Sequence, residues 1–588
     1  MAIAPYGSWK SPITAKLVSS GGVALGEIQL LGNDTFWLEV RPDEQGRSVL
    51  VRRSENGEIR DVTGGDFNVR SRVHEYGGGA YLATDHAIYF SNFSDNRLYR
   101  QPWHSGAEPL TGEGPLRYAD FVLDAGHHRL ISVREDHSKA PEEAVNTLVS
   151  IHLDDGSQEI MVSGANFYAT PRLSVDGKRL AWLTWNHPNM PWDGTELWVA
   201  TVEDDGSLTG KRPVAGGADE SIFQPEWSSD GTLYFVSDRT GWWNLYRESG
   251  DKIEAITQLE TSFGVPQWVF RMSTYGLPGV DKLIALHTDG GIDHLESIDL
   301  VNEESTPIET PYSSLAGIQV QPGRAVFLGA SAEQPQTLVS LDLKSGTLEV
   351  LKRSRDVRVA AAYLSKPEAI EFPTAGGQTA YGLYYAPRNP DFQAPVGELP
   401  PLIVHVHGGP TARAGAGFGL TSQFWTSRGF AYIDLNYRGS SGYGRQFRNS
   451  LRGQWGVVDV EDSVAAAEYA VSRGFANPDA LLITGGSAGG YTTLTALALT
   501  DTFAGGASYF GIGDLESFVQ DTHKFESRYT DTLVGALPGA LETYRERSAM
   551  HHLEDMTAPV LLLQGLEDKI VPPNQAAMME EALRQKGT

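Results

Sequence analysis

A pattern of short β-type segments, separated by Gly, Asp, Asn and Pro turns, runs through residues 30–360. Pro171–Gly177 followed by KRLAWLTW is echoed by Pro225–Gly231 followed by TLYFVSDR. Each pair indicates two strands joined by an Asp-Gly turn, a strong signal for a hairpin. A further strand follows each hairpin, at 195–202 and 244–249. Repeats of about 40–50 residues built from four strands are typical of a β-propeller.

This repeat can be counted seven times, at 32–63, 78–111, 117–164, 167–217, 221–259, 264–310 and 313–354. We therefore expect a seven-bladed β-propeller over residues 31–364. A pair of β-sandwiches without a repeat is the alternative architecture. Residues 1–30 fit neither pattern, and we expect them to form an N-terminal extension that packs on a second domain.

The sequence pattern changes near Tyr363–Ile370. Beyond this segment, β-type runs alternate with stretches at helical spacing, such as Val457–Ala467. This alternation predicts a mostly parallel sheet covered by helices. Two domains also agree with a length of 588 residues, because one domain typically holds about 100–200. We expect the second domain to span residues 365–588.

A candidate nucleophile lies in the second domain, where GGSAG at 485–489 matches the pattern G-x-S-x-G. An apolar run, 480–484, precedes the motif and a helix-type segment, 491–499, follows it. Strand, sharp turn and helix are the context that a nucleophile elbow requires, and they predict an α/β-hydrolase with Ser487 as nucleophile. The neighbouring glycines suit a strained corner where a side chain would collide with the strand or the helix.

Two further loops fit the same chemistry. The apolar segment 401–406 ends in His-Gly-Gly-Pro at 407–410, a loop type whose backbone N–H groups complete an oxyanion hole. The apolar segment 558–564 runs into a loop with two adjacent carboxylates, Glu567 and Asp568. A triad acid is expected on a loop after a late strand, where it orients a histidine. Asp568 is our choice for this acid, and Glu567 is the rival.

Several motifs together resemble the prolyl-oligopeptidase family of serine peptidases, and most of all its acylaminoacyl-peptidase-like bacterial branch. They are HVHGGP at 405–410, NYRGSSGYGRQFR at 436–448, GGSAGGY at 485–491, QGLEDKIVPP at 564–573, RVHEYGGGAY at 72–81 and WNHPNMPWDGTELW at 185–198. The resemblance implies Ser487 as nucleophile, Asp568 as acid, and the N–H groups of Gly409 and Ala488 as oxyanion donors. It also implies a propeller that admits short peptides and excludes folded proteins.

The third member of a triad is missing from this sequence. In this fold the triad follows the order Ser, Asp, His, but no histidine occurs after His552. His551 and His552 precede Asp568, so their position in the chain argues against either as the base. The last strand and final helix of the fold are also expected to be missing. We expect the chain to be a fragment of a longer active enzyme, or else a chain that cannot hydrolyse efficiently.

Composition excludes some functions. The chain has no cysteine, which rules out disulfides and thiolate chemistry, and its formal charge of −27 argues against a nucleic-acid partner. No apolar run approaches the about 20 residues that span a bilayer, and no signal peptide is recognisable. We expect a cytoplasmic protein that needs no metal and no organic cofactor. A homo-oligomer is left open.

The sequence says less about the identity of the substrate. Tyr509, Phe510, Leu515 and Phe518 follow the elbow and could line an apolar pocket or belong to the core. The acids Asp514, Glu516, Asp521 and Glu526 could favour a basic residue, although a solvated helix face is the simpler interpretation. Without a paired-glutamate element for a free N-terminus, acylaminoacyl or general oligopeptide hydrolysis ranks above dipeptide release. The alternatives are a small-ester esterase and a non-catalytic propeller scaffold.

Overall fold

Residues 1–250 and 252–587 are described by a computed structural model. Seven sheets of four antiparallel strands, each sheet built from consecutive strands, form a seven-bladed β-propeller, as the repeats predict. The strands are Ala24–Leu31, Asp34–Arg41, Arg47–Arg53 and Ile59–Asp61 in blade 1; Tyr81–Ala83, Ala87–Ser91, Leu98–Pro102 and Glu108–Pro109 in blade 2; Leu116–Asp124, Arg129–Asp136, Val145–His152 and Gln158–Val162 in blade 3; Phe167–Leu173, Arg179–Trp185, Glu196–Val202 and Leu208–Gly216 in blade 4; Ile222–Trp227, Leu233–Ser237, Asn244–Ser249 and Lys252–Ala255 in blade 5; Tyr275–Gly276, Lys282–Asp289, Ile292–Asp299 and Ser305–Pro307 in blade 6; and Ser314–Gln321, Arg324–Ser331, Gln334–Asp342 and Leu348–Arg353 in blade 7.

Blade 1 begins earlier than the sequence pattern indicated. All but the last residue of its first strand, Ala24–Leu31, fall inside the expected extension 1–30, so that extension is shorter. The reason is a β-bulge between Gly26 and Gln29, where Glu27 has a positive φ of 48°. A bulge breaks the alternation of apolar and polar residues that marks a strand in the sequence.

The second strand is among the most deeply buried in the blades. In Arg324–Ser331 of blade 7, all six central residues are buried, and Arg129–Asp136 of blade 3 is similar. Both faces of such a strand are covered because neighbouring blades stack against each other, so it reads as a continuous apolar run. The ring closes between blades 1 and 7 through contacts of their first strands and through side chains, including Gln321 Nε2, which donates to the Gly32 carbonyl at 2.9 Å.

The first strands surround a polar central tunnel. Glu27, Arg172, Glu226 and Arg271 line a cavity there. Arg172 pairs with Glu226 at 3.0 Å, and both Arg172 and Arg271 contact the carboxylate of Asp120, at 3.2 and 2.8 Å. Two guanidinium groups and three carboxyl groups therefore lie close together in the tunnel.

The second domain is an α/β-hydrolase, again as predicted. Its sheet has seven strands within the described residues, and the five central and late ones run parallel. In spatial order they are Pro367–Thr374, Gln378–Tyr385, Ala431–Asn436, Leu402–Val406, Leu481–Gly486, Gly505–Tyr509 and Val560–Leu563. The last of these is at the edge, and its Leu561 is 59% exposed.

Helices cover this sheet and connect it to the propeller. They are Leu420–Thr426, Gly444–Asn449, Val458–Ser472, Ala488–Leu499, Leu515–Asp521, Tyr529–Leu533, Leu541–Glu546 and Asn574–Lys586, and a further helix, Ala15–Ser19, lies near the N-terminus. The N-terminal segment contacts the hydrolase: Ala2–Ile3 pairs with Phe392–Gln393. Among the residues that the structure describes, no helix is both long and apolar enough to cross a membrane.

Candidate active site

Ser487 lies at a sharp corner between the strand Leu481–Gly486 and the helix Ala488–Leu499. Its backbone has φ 54° and ψ −121°, a conformation that few non-glycine residues adopt. The corner is held at both sides: the Ser487 N–H donates to the Tyr509 carbonyl at 2.9 Å, and the Ser487 carbonyl accepts from the Tyr491 N–H at 2.9 Å. This is the geometry of a nucleophile elbow, which presents a serine hydroxyl above the sheet.

The glycines beside Ser487 are required by close backbone packing. A Cβ atom at Gly485 would lie 2.4 Å from the Gly489 carbonyl oxygen, and one at Gly489 would lie 2.0 Å from that of Val406. Neither neighbour is a side chain that could rotate away. The spacing of the motif therefore reflects how tightly the helix Ala488–Leu499 and the strand Leu402–Val406 approach the corner.

The His407–Pro410 loop lies directly beside the serine. A Cβ at Gly408 would come within 3.5 Å of Ser487 Cβ. The amides of Gly409 and Ala488 donate no hydrogen bond to any described residue, and both residues line the cavity that contains Ser487. Two free N–H groups beside a nucleophile are what an oxyanion hole needs. The propeller supports the loop, because Trp268 Nε1 donates to the Thr411 carbonyl at 2.8 Å.

Asp568 lies on the loop after the edge strand Val560–Leu563. One oxygen of its carboxylate accepts from the N–H groups of Ile570 and Val571, at 2.9 and 3.0 Å. Ile570 lines the same cavity as Ser487, so the loop that carries Asp568 borders the site. Glu567, the rival acid, is exposed to solvent. Asp568 is half-buried and held in one orientation, as an acid that positions a base would be.

No histidine among the described residues lines the cavity of Ser487. His407 Nε2 accepts from the Ser440 hydroxyl at 2.8 Å, and its Nδ1 donates to the Gly408 carbonyl at 2.8 Å. Burial lowers the pKa of His407 to about 4, so its ring is neutral and serves the loop. His551 faces Asp514 at 3.7 Å, and His552 contacts the Glu546 carbonyl at 2.8 Å.

The four candidate pocket residues lie in different surroundings in the structure. Phe518 lines the cavity with Ser487, whereas Leu515 is fully buried in the core. Tyr509 and Phe510 are 44% and 41% exposed near the sheet edge, outside that lining. Four further lining residues escape sequence analysis because no local motif marks them; they are Trp455, Ile512, Tyr529 and Thr530. A fifth, Ile570, lies in the motif QGLEDKIVPP, which does not single it out as a site residue.

The four acidic residues that follow the elbow also differ in their partners and in their position relative to the cavity. Asp514 caps a helix by accepting from the Ser517 N–H at 3.1 Å, Glu516 pairs with Arg545 at 3.2 Å, and Asp521 accepts from Asn574. Glu526 is different: only 7% of it is exposed, and it lines the cavity of Ser487. Across residues 1–250 and 252–587, no cluster of three or more His, Asp or Glu side chains could hold a metal ion.

Comparisons with known proteins agree with this architecture. The model of the prolyl oligopeptidase family matches residues 416–588. A solved puromycin-hydrolysing peptidase of Mycobacterium tuberculosis is 41% identical with a TM-score of 0.96, over 100% of this chain and 92% of the other. A crystal structure of puromycin hydrolase is 35% identical with a TM-score of 0.94, over 99% and 92% of the two chains.

The curated relatives match over a shorter stretch. Dipeptidyl aminopeptidase BIII of Pseudoxanthomonas mexicana is 29% identical over 269 residues, which are 44% of this chain and 38% of that protein. The chain spans less than half the length of the first curated relatives that it matches.

Proposed function

Because this chain belongs to the prolyl oligopeptidase family of serine peptidases, we propose that it hydrolyses short peptides through an acyl-enzyme on Ser487. One observation carries the proposal: Ser487, Gly409 and Ala488 line a single cavity at a strained elbow. A nucleophile and two free amide donors in one cavity are the minimum for acyl transfer. Short peptides of the acylaminoacyl or general oligopeptide kind are the proposed substrates.

In the proposed reaction, the Ser487 hydroxyl oxygen bonds to the substrate carbonyl carbon while a base takes the hydroxyl proton. The N–H groups of Gly409 and Ala488 stabilise the oxyanion. The base then returns the proton to the leaving amine as the C–N bond breaks, and water hydrolyses the acyl-enzyme. Asp568 is proposed to orient the base. We assign the base to no histidine of the described residues, since none of them lines the cavity.

The propeller is proposed to limit the size of the substrate. It covers the site, and Trp268 supports the oxyanion loop. The side chains of Arg172, Arg271 and their carboxylate partners occupy part of the tunnel, so an extended short peptide would pass more readily than a folded protein. A small ester needs no such cover, which favours a peptidase over an esterase.

A fluorophosphonate probe tests the nucleophile. We expect the protein to be labelled at Ser487, and Ser487→Ala to abolish the labelling. Ser472→Ala is the control, because that hydroxyl is exposed and donates to the Tyr469 carbonyl of its own helix, away from the cavity. Labelling that persists in Ser487→Ala would contradict the proposal. Faster turnover of a p-nitrophenyl ester, with no turnover of peptide anilides, would favour an esterase instead.

A further inference from the structure

We propose that Glu526 binds a positively charged amino group of the substrate and so determines specificity. This inference rests on the proposed function, because it concerns the substrate that Ser487 attacks. Glu526 is the one charged residue among the described residues that line the cavity of Ser487, Gly409 and Ala488. The other lining side chains are apolar, aromatic or hydroxyl-bearing, so the cavity combines one negative charge with a largely apolar wall.

The carboxylate of Glu526 has spare hydrogen-bonding capacity. One oxygen accepts from the Tyr76 hydroxyl of the propeller at 2.9 Å, and no other hydrogen bond to the carboxylate is made by the described residues. The other oxygen lies 3.5 Å from His523 Nε2, in a geometry that makes no hydrogen bond. A buried carboxylate with a single hydrogen bond is poorly compensated for its lost hydration. A bound ammonium group would supply both charge and donors.

Neighbouring cations do not neutralise Glu526, because they are directed elsewhere. Lys524 Nζ donates to the carbonyls of Ala144 and Asn166, both at 2.8 Å, and to Asn146 at 2.9 Å. Arg528 donates to the Ser527 carbonyl at 3.0 Å. Burial, followed by the charge of Glu526, raises the pKa of Tyr76, so its hydroxyl stays a donor.

The propeller holds Glu526 in place. Phe525, the preceding residue, stacks on His74 with ring centroids 5.3 Å apart and contacts the rings of Phe167 and Trp185. Together with the Lys524 contacts, this fixes the backbone on one side of Glu526 against blades 3 and 4. The carboxylate therefore belongs to a site built from both domains, and it lines the hydrolase cavity while bonded to the propeller through Tyr76.

The surroundings suit an ammonium group. Tyr76, Trp268 and Tyr529 form an aromatic cluster beside Glu526, with centroids 5.3 Å apart for Tyr76–Trp268 and 6.0 Å for Trp268–Tyr529. Of these rings Tyr529 lines the cavity, and a carboxylate together with an aromatic ring in one cavity is a recurrent way to bind an organic cation. Since Glu526 and Ser487 line one cavity, the cation belongs to the residue whose carbonyl is attacked. A lysine-type side chain on that residue agrees with acylaminoacyl or general oligopeptide substrates, whereas a free α-amino group would replace the acylaminoacyl kind by peptides with a free N-terminus.

Three matched anilides test the inference: a phenylalanyl anilide with a free α-amine, its N-acetyl form, and an N-acetyl-lysyl anilide. We expect wild type to prefer one of the charged substrates, and Glu526→Gln to lower kcat/KM for that substrate by about 100-fold. The neutral N-acetyl-phenylalanyl anilide should change less than about threefold. A loss of kcat/KM confined to the phenylalanyl anilide identifies the free α-amine as the group that Glu526 binds. A loss confined to the N-acetyl-lysyl anilide identifies the lysine side chain. Glu516→Gln, at an acid paired with Arg545, is the control that should change neither.

Equal loss on charged and neutral substrates, or no loss at all, would overturn the role of Glu526. So would a wild-type enzyme that prefers the neutral anilide, a result that does not depend on the variant's folding. Fluorophosphonate labelling separates the two proposals. A labelled wild type without charge preference contradicts only the inference about Glu526, whereas an unlabelled wild type contradicts the proposed function and this inference with it.

Discussion

Ser487 is kept in a strained conformation by the residues that pack around it. A φ of 54° is unfavourable for serine, and strain of this kind persists only where surrounding structure holds it. Two backbone hydrogen bonds and the close contacts at Gly485 and Gly489 do so here. At the scale of single residues, the site therefore depends on the two glycines, which have no side chain, as much as on the serine.

Gly489→Ala tests this dependence. The added Cβ would meet the Val406 carbonyl oxygen at 2.0 Å, so the helix Ala488–Leu499 or the strand Leu402–Val406 must shift. We expect a loss of about 3 kcal/mol or more in unfolding free energy, measured by chemical denaturation. Gly106→Ala is the control, since nothing lies within 4 Å of its Cβ position. Equal stability of the two variants would show that the elbow is looser than this packing requires.

One helix carries much of the contact between the domains. Arg445 and Arg448, on Gly444–Asn449, both reach Asp238 of the propeller at 2.6 Å. Asp238 is almost completely buried and also accepts from the Ser221 N–H at 2.7 Å. Arg448 additionally lies over the Trp243 ring, 4.4 Å from its centroid. These contacts fix the domains around the aromatic cluster and Glu526.

Asp238→Asn should weaken this docking. The substitution leaves two guanidinium groups in a buried interface without their carboxylate partner, although both still donate to backbone carbonyls, and such a loss typically costs about 3 kcal/mol. We expect calorimetry to show a lower and broader unfolding transition, and limited proteolysis to cut between the domains sooner. Asp356→Asn is the control, because its pair with Arg358 is exposed and contributes little. If both variants melt alike, the Asp238 contacts do not hold the domains together.

A buried carboxyl group of the propeller, that of Glu27, makes the stability of the whole protein depend on pH. Burial in the tunnel raises the pKa of Glu27 from 4.5 to about 7, and the N–H of Ala80 donates to its carboxylate at 2.9 Å. Between pH 4.5 and about 7 the folded state keeps a proton that the unfolded state releases, so this residue lowers stability as the pH rises through that window. Above about pH 7 the penalty is constant.

Glu27→Gln should therefore raise the melting temperature at pH 8 and give no advantage at pH 4. We expect a gain on the order of 1 kcal/mol at pH 8, since Gln can still accept from Ala80. Thermal unfolding across this pH range provides the measurement, with the exposed Glu58→Gln as control. A gain that is independent of pH would mean that ionisation of Glu27 is not the cause.

The sequence alone determined the seven propeller blades, the hydrolase domain and the elbow motif. Each depends on short-range patterns: Asp-Gly turns between alternating segments, strands alternating with helical spacing, and glycines flanking Ser487. The bulge at Glu27 hid the first strand of blade 1, because it disrupts that alternation. Only the tertiary structure distinguished Glu526 from three neighbouring acids and excluded Leu515, Tyr509 and Phe510 from the cavity lining. The reason is distance along the chain: Glu526 is paired with Tyr76, 450 residues away, and a contact of that range leaves no periodic signal in sequence.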